Sequence, residues 1–312
     1  MKASSQTAVN GVPLDDILGA HAEWTRDAAS GVRCEWNGVT LSGVDLRRAN
    51  FDGAHLEGVT LADSDLTAAE LRRAEIDSAN FRGTLLNGAD FTSGQLRQVD
   101  LSFCLLQGAY FIEARLEHVD FREAHLDKTR FHDASILEGA FAAAVLNGAL
   151  FHHARLVECD FSGAQINGVQ MYRTDLRNCG FRSAAGAHFS VISSRLIDCD
   201  LWRAELPGAS FAHARLQSTC LAAANLKGAD CSEASFRGCD LSGAVLRDAR
   251  MCKTDLFAAN LCGADLTGAQ GLTQEQLAHT RTDNGTFLPN GRRGPYVKYS
   301  GAERPVRSRA YA

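Results

Sequence analysis

A period of five residues constrains this chain more than any other feature. From Leu41, every fifth residue through Leu46, Phe51, Leu56 and Leu61 to Leu266 falls in one unbroken register of 46 quintets. In 44 of them this central residue is Leu, Ile, Val, Phe or Met, the exceptions being Gly186 and Cys231. Two positions earlier stands Ala, Val, Ser, Thr, Cys or Gly, everywhere except Phe189. A long helix cannot use this pattern, because five residues rotate the helical wheel by roughly 140° net and scatter the large side chains over every face. A flat strand cannot use it either: five is odd, and successive centres would point to opposite faces. The chain must turn once per quintet. Three extended residues point small-in, polar-out and large-in, and two more make a corner.

The number of corners in one circuit is also written in the sequence. Of the 12 Phe residues at central positions, 11 fall on alternate quintets, with Phe236 apart, and Cys159, Cys179, Cys199 and Cys239 recur at multiples of twenty. Four sides of five residues produce both patterns.

Runs such as Ala49-Asn50-Phe51, Ala224-Asn225-Leu226, Ala259-Asn260-Leu261 and Ala264-Asp265-Leu266 resemble the A(D/N)LXX motif of the pentapeptide repeat family. The resemblance implies an all-β solenoid, a right-handed quadrilateral parallel β-helix of about 11–12 coils and about 55 Å length at a ~4.8 Å strand spacing, with short terminal capping helices. The expected organisation is an N-terminal arm and capping helix over 1–35, the repeat β-helix over 36–270, a C-terminal cap over 271–290 and a flexible basic tail over 291–312.

A solenoid must cover the unpaired backbone at its ends. Val12, Leu14, Ile17, Leu18, His21 and Trp24 lie at helical spacing, with Pro13 suited to a first turn and Gly31 to a stop, which predicts a helix over 13–30. At the other end, Thr273 is placed to cap a short helix within GLTQEQL. Inside the array, Gly186 and Phe189 exchange large for small, and a compensated packing swap is expected there.

The chemistry expected of such a chain is binding, not catalysis. At 45% apolar, 22% charged and net −5, the composition is that of a folded soluble chain. Neither an apolar signal region nor a membrane-spanning run is present, and ten cysteines without a CxxC pair suit a reducing cytoplasm. No phosphate loop, GxSxG, HExxH or dinucleotide fingerprint occurs, so the reading is a non-enzymatic scaffold without cofactor or metal. Cys159, Cys179 and Cys199 are read as small core residues. His132, His152 and His153, with His213 further along, hold imidazoles that zinc or copper accepts, yet solvated corners suit them better.

Two surface rows stand out. Ile112, His132, His152, Tyr172 and Ile192 recur at one outward corner, and Leu137, Val157 and Ile197 at the next side; an apolar row of this kind marks a surface for another protein. Asp100, Asp120, Asp160, Asp200 and Asp240 form an acidic ladder, with Arg115, Arg155, Arg195 and Arg215 at the same phase on the neighbouring side, where mutual screening is expected.

The family resemblance implies a more specific alternative, a protein that binds DNA gyrase by partial DNA mimicry and protects it from topoisomerase poisons. The coil has 22 basic and 29 acidic residues. Duplex DNA of ~55 Å carries about 32 negative charges, so mimicry is confined to the acidic side. Homodimerisation through a terminal cap belongs to the same set of expectations; direct nucleic-acid or membrane binding does not.

Overall fold

The computed structural model describes residues 7–305. Two compact units divide after Phe161. In the first, a two-residue hairpin of β1 (Ala8–Val9) and β2 (Val12–Pro13) leads into helix α1 (Leu14–Arg26). Seven three-residue strands then follow: β3 (Glu35–Asn37), β4 (His55–Glu57), β5 (Glu75–Asp77), β6 (Gln95–Arg97), β7 (Arg115–Glu117), β8 (Ser135–Leu137) and β9 (Arg155–Val157). They pair in parallel with a register of twenty, Leu96 on Leu116, Leu116 on Ile136 and Ile136 on Leu156. Single bridges complete the other sides, as Asp100 on Asp120, Leu105 on His125 and Tyr110 on Arg130. Each circuit therefore has four sides of five residues, as the quintet requires.

The corners show why the period works. At one of them the Ala114 N–H donates to the Phe111 carbonyl at 3.3 Å, and Glu113 takes φ 57° between them. Positive φ at the second central residue defines a type II-like turn. Phe111 donates in turn to the Arg130 carbonyl at 2.7 Å, and the Arg130 N–H to Ala109 at 3.0 Å, so the turn and the ladder together satisfy the backbone.

Inside, the large residues form columns. Phe91, Phe111, Phe131 and Phe151 stack face to face with centroids 4.6 to 5.0 Å apart. A second column, Phe121, Phe141 and Phe161, stacks at 4.6 to 4.8 Å and meets the first edge-on. These rings are fully buried. The small inward position also takes polar residues, because their hydroxyls have an acceptor: Thr84 donates to the Leu61 carbonyl at 2.9 Å and Thr129 to Leu106 at 3.1 Å.

α1 closes the N-terminal end, but it stops at Arg26, with Asp27 as C-cap, earlier than the spacing predicts. Gly31 serves close packing instead: a Cβ there would lie 2.0 Å from the Trp24 nitrogen. His21 is fully buried, accepts the Cys34 N–H on Nδ1 at 2.9 Å and stacks on Trp24.

The second unit carries β10 (Asp175–Arg177), β11 (Arg195–Ile197) and β12 (Arg215–Gln217), then parallel single bridges through Asp265 on Phe287. Regular strands thus mark about nine turns of parallel β-solenoid, fewer than the quintets alone suggest, because past Gln217 every side is held by single bridges. At the Gly186 and Phe189 exchange, large and small residues are accommodated separately. The Phe189 ring is fully buried with its centroid 5.8 Å from that of Phe181, and Gly186 lets the Ile166 backbone approach.

Helix α2 (Gln274–Ala278) begins at Thr273 with a reciprocal capping box to Gln276, whose side chain also donates to the Thr254 carbonyl at 2.7 Å. Beyond it the Gly294 N–H donates to Thr286 and the Tyr296 N–H to the Thr282 hydroxyl, while Ala302 and Glu303 are buried. The remaining part of the expected basic tail, 306–312, lies outside the described residues.

Candidate interaction surface

With the large and small residues of each quintet turned inward, the outward positions carry whatever chemistry the protein offers. In the first unit Ile112, His132 and His152 occupy successive corners and are all half-buried. The two imidazoles lie 4.9 Å apart at 8°, a face-to-face stack. Burial lowers the pKa of both, and their mutual repulsion adds to it at His152, so near neutrality they present flat uncharged rings. Leu137 and Val157 face each other across β8 and β9, also half-buried. In the second unit Tyr172, Ile192 and Ile197 are half-buried, and the Arg173 guanidinium lies 5.0 Å from the Tyr172 ring.

On the β7–β9 side the outward residues enclose an open cleft of about 210 Å³. Arg115, Ser135 and Arg155 form one row and Glu117, Leu137 and Val157 the next, over a floor of Leu116 and Ile136. Ser135 is the short residue that opens the cleft between two arginines.

The acidic ladder has a different destination. The carboxylates of Asp100, Asp120, Asp200 and Asp240 each accept the backbone N–H two residues on, at 2.9 to 3.0 Å. These are Asx turns that brace the corner. Asp120 also binds Arg122, and Asp200 binds Arg182, both at 2.5 Å. Burial pushes the Asp120 carboxyl up, but the hydrogen bonds from the Arg122 side chain and backbone outweigh it and hold the group below its ordinary range. Asp240 accepts from Asn260 at 2.9 Å, and Asp160 is exposed.

The expected screening of the neighbouring arginines by this ladder therefore fails at Arg115, whose nearest ladder member in sequence, Asp120, is engaged by Arg122. Arg115, Arg155, Arg195 and Arg215 are exposed and have no carboxylate within ion-pair distance among the described residues. Spacing alone could not reveal this, since the winning partner is two residues away across a corner instead of five.

Seven of the ten cysteines are buried as core residues, while Cys220 and Cys262 are half-buried and Cys252 is exposed. Cys159 points its thiol at the Ile136 and Val157 carbonyls, and Cys199 at Leu176 and Ile197. Burial raises the thiols of Cys104 and Cys231 to about 12, and the Cys179 thiol together with burial pushes Cys199 higher still. All ten cysteines are free thiols. Among the described residues, no three of His, Cys, Asp or Glu converge as metal ligands, and no helix is long and apolar enough to cross a membrane.

These features define the class: a β-solenoid repeat protein, with a filled interior and surface rows set by the twenty-residue circuit. Family models described as pentapeptide repeat region match residues 33–111, and pentapeptide repeats match residues 104–136, 144–182, 194–230 and 224–268. The chain belongs to the pentapeptide repeat family. Among solved structures, it is similar to HetL, a pentapeptide repeat protein involved in heterocyst differentiation regulation in the cyanobacterium Nostoc sp. strain PCC 7120. The two share 24% identity over 87% of this chain and 98% of HetL, with a TM-score of 0.28. A pentapeptide repeat protein of the Arabidopsis thaliana thylakoid lumen is 28% identical over 38% of this chain and 66% of that one, with a TM-score of 0.20. QnrB1, a plasmid-mediated fluoroquinolone resistance protein, is 18% identical over 80% of this chain and 92% of its own, with a TM-score of 0.23. Among curated proteins none matches.

Proposed function

We propose that this protein is a non-enzymatic scaffold that holds another macromolecule against its outward sides. The carrying observation is the half-buried apolar rows, Ile112 with His132 and His152, and Leu137 with Val157, on a unit whose interior is already filled by stacked phenylalanines. Side chains that lose water only in part at a regular surface gain more when a partner covers them. Ten free cysteines, an exposed thiol at Cys252 among them, support a reducing, cytoplasmic setting. The test is capture of a partner by immobilised protein, followed by the pair Ile112→Asp and Leu137→Asp. Capture is lost while the β-rich circular dichroism stays unchanged; retained capture would remove the apolar rows from the function.

Self-association through a terminal cap belongs to the same reading. An apolar cleft of about 380 Å³ at the N-terminal end includes Val12, exposed at 46%, and Val32, exposed at 69%. Sedimentation of Val12→Asp with Val32→Asp tests it, since a dimer held there becomes a monomer.

The topoisomerase reading is supported by the acidic ladder and weakened by how its carboxylates are spent, on Asx turns and on Arg122 and Arg182. Gyrase supercoiling with a fluoroquinolone, with and without this protein, decides it: no protection at stoichiometric excess removes gyrase as the partner.

A further inference from the structure

We infer that the β7–β9 side is built to hold an acidic polypeptide segment that also carries aliphatic side chains. This rests on the scaffold reading above and names the chemistry of the partner.

Charge is the first reason. Two other arginines of the first unit are neutralised internally: Arg33 by Glu75 at 3.1 Å, and Arg97 by Asp77. Arg115 and Arg155 are not. They flank Ser135 in the ladder, two strand spacings or about 10 Å apart. Glu117 also lines the cleft, in register with Leu137, but makes no ion pair with Arg115. Two exposed guanidinium forks with no carboxylate within ion-pair distance among the described residues leave donors that a bidentate anionic partner satisfies.

The second unit repeats the combination on its own strands. Arg195 and Arg215 lie directly opposite each other in the ladder, exposed and without a carboxylate, beside half-buried Ile197. Arg177, on β10, is instead held by Asp175 at 2.9 Å. Arg155 and Arg195 thus each stand beside an aliphatic residue of the next row, Val157 and Ile197.

That aliphatic row decides the class of anion. Leu137 and Val157 offer nothing to a phosphodiester backbone, and nucleic-acid binding draws on many cationic contacts where this cleft has two. An acidic peptide with Leu or Val residues satisfies both rows: carboxylates at Arg115 and Arg155, aliphatic groups on Leu137 and Val157.

The experiment uses the full chain and four fluorescein-labelled probes, read by anisotropy. One is a soluble peptide with glutamate and leucine alternating at its centre, the second replaces glutamate by lysine, the third replaces leucine by serine, and the fourth is an oligothymidine. Only the glutamate–leucine peptide binds, its affinity falls with added salt, and Arg115→Glu with Arg155→Glu weakens it at least tenfold, as does Leu137→Ser with Val157→Ser. Unchanged circular dichroism certifies the fold of each variant. Equal binding of the serine peptide or the oligothymidine, no binding of the glutamate–leucine peptide, or indifference to the double charge reversal overturns the inference. The scaffold reading fails separately: a captured partner that Ile112→Asp with Leu137→Asp releases and the charge reversal retains leaves the scaffold standing and refutes the acidic class.

Discussion

Restoring the repeat pattern at its single exchange of large for small should harm this protein. Every other quintet suggests that Gly186→Leu would fill a core position. The structure gives the opposite sign, because even a Cβ at Gly186 would lie 2.4 Å from the Ile166 carbonyl carbon and 2.5 Å from its oxygen. The neighbouring backbone must then move by roughly half an ångström or more, and overpacking of this kind costs about 1–3 kcal/mol. Phe189→Ala alone removes a fully buried ring and costs about 3–5 kcal/mol. Combined, the two changes recreate the order found elsewhere in the array, but a Cβ at Gly186 meets the Ile166 backbone and not the Phe189 ring, so removing the ring leaves that clash in place. The double variant should therefore lose about the sum of the two single losses. Guanidinium denaturation followed by circular dichroism measures all four proteins, with midpoints compared at constant slope. A double variant more stable than the Phe189→Ala protein, or a Gly186→Leu protein as stable as the parent, would refute the role given to the Ile166 contact.

Four further outcomes are expected. His21 is held neutral, its pKa lowered from 6.5 mainly by burial, so the unfolded chain takes up the proton more readily. The stability it contributes is present above about pH 6.5 and is lost as pH falls toward the folded-state pKa, which thermal melts from pH 7.5 to 5 should show and His21→Leu should abolish. Phe131→Ala opens a gap between Phe111 and Phe151, stacked at 5.0 and 4.6 Å, and should cost about 3–5 kcal/mol in denaturant titration. Ala143→Gly should stabilise by up to about 1 kcal/mol by the same assay, because Ala143 is exposed and held at φ 57°. Thr129→Val should lose about 1 kcal/mol, since the Thr129 hydroxyl donates to the buried Leu106 carbonyl.

The circuit of twenty residues, the inward columns and both caps follow from residue spacing because each depends on side-chain size and on local turn chemistry. Leu, Phe and Ala cannot alternate at an odd period without a corner, and Thr273 with Gln276 is a local pairing. What spacing missed depends on competition between partners. Asp120 turned to Arg122 and to its own corner, so the arginine five residues earlier was left exposed. Gly31 resembled a helix stop, but α1 had already ended at Arg26 and the glycine answered a close approach to Trp24 that only tertiary packing creates. Polar residues in the small inward row, such as Thr84 and Ser64, were counted as small; their second role, donating to the Leu61 and Leu41 carbonyls, requires the neighbouring coil.

All of these surfaces exist only if residues twenty apart share one side. Backbone proton contacts measured by NMR on perdeuterated protein test that register directly, through the chain of Leu96, Leu116, Ile136 and Leu156 that the ladder aligns. Short contacts at offsets of twenty along this series, with none at helical offsets of three or four, are the expected result. Contacts at helical offsets, or strand pairing at any interval other than twenty, would contradict it.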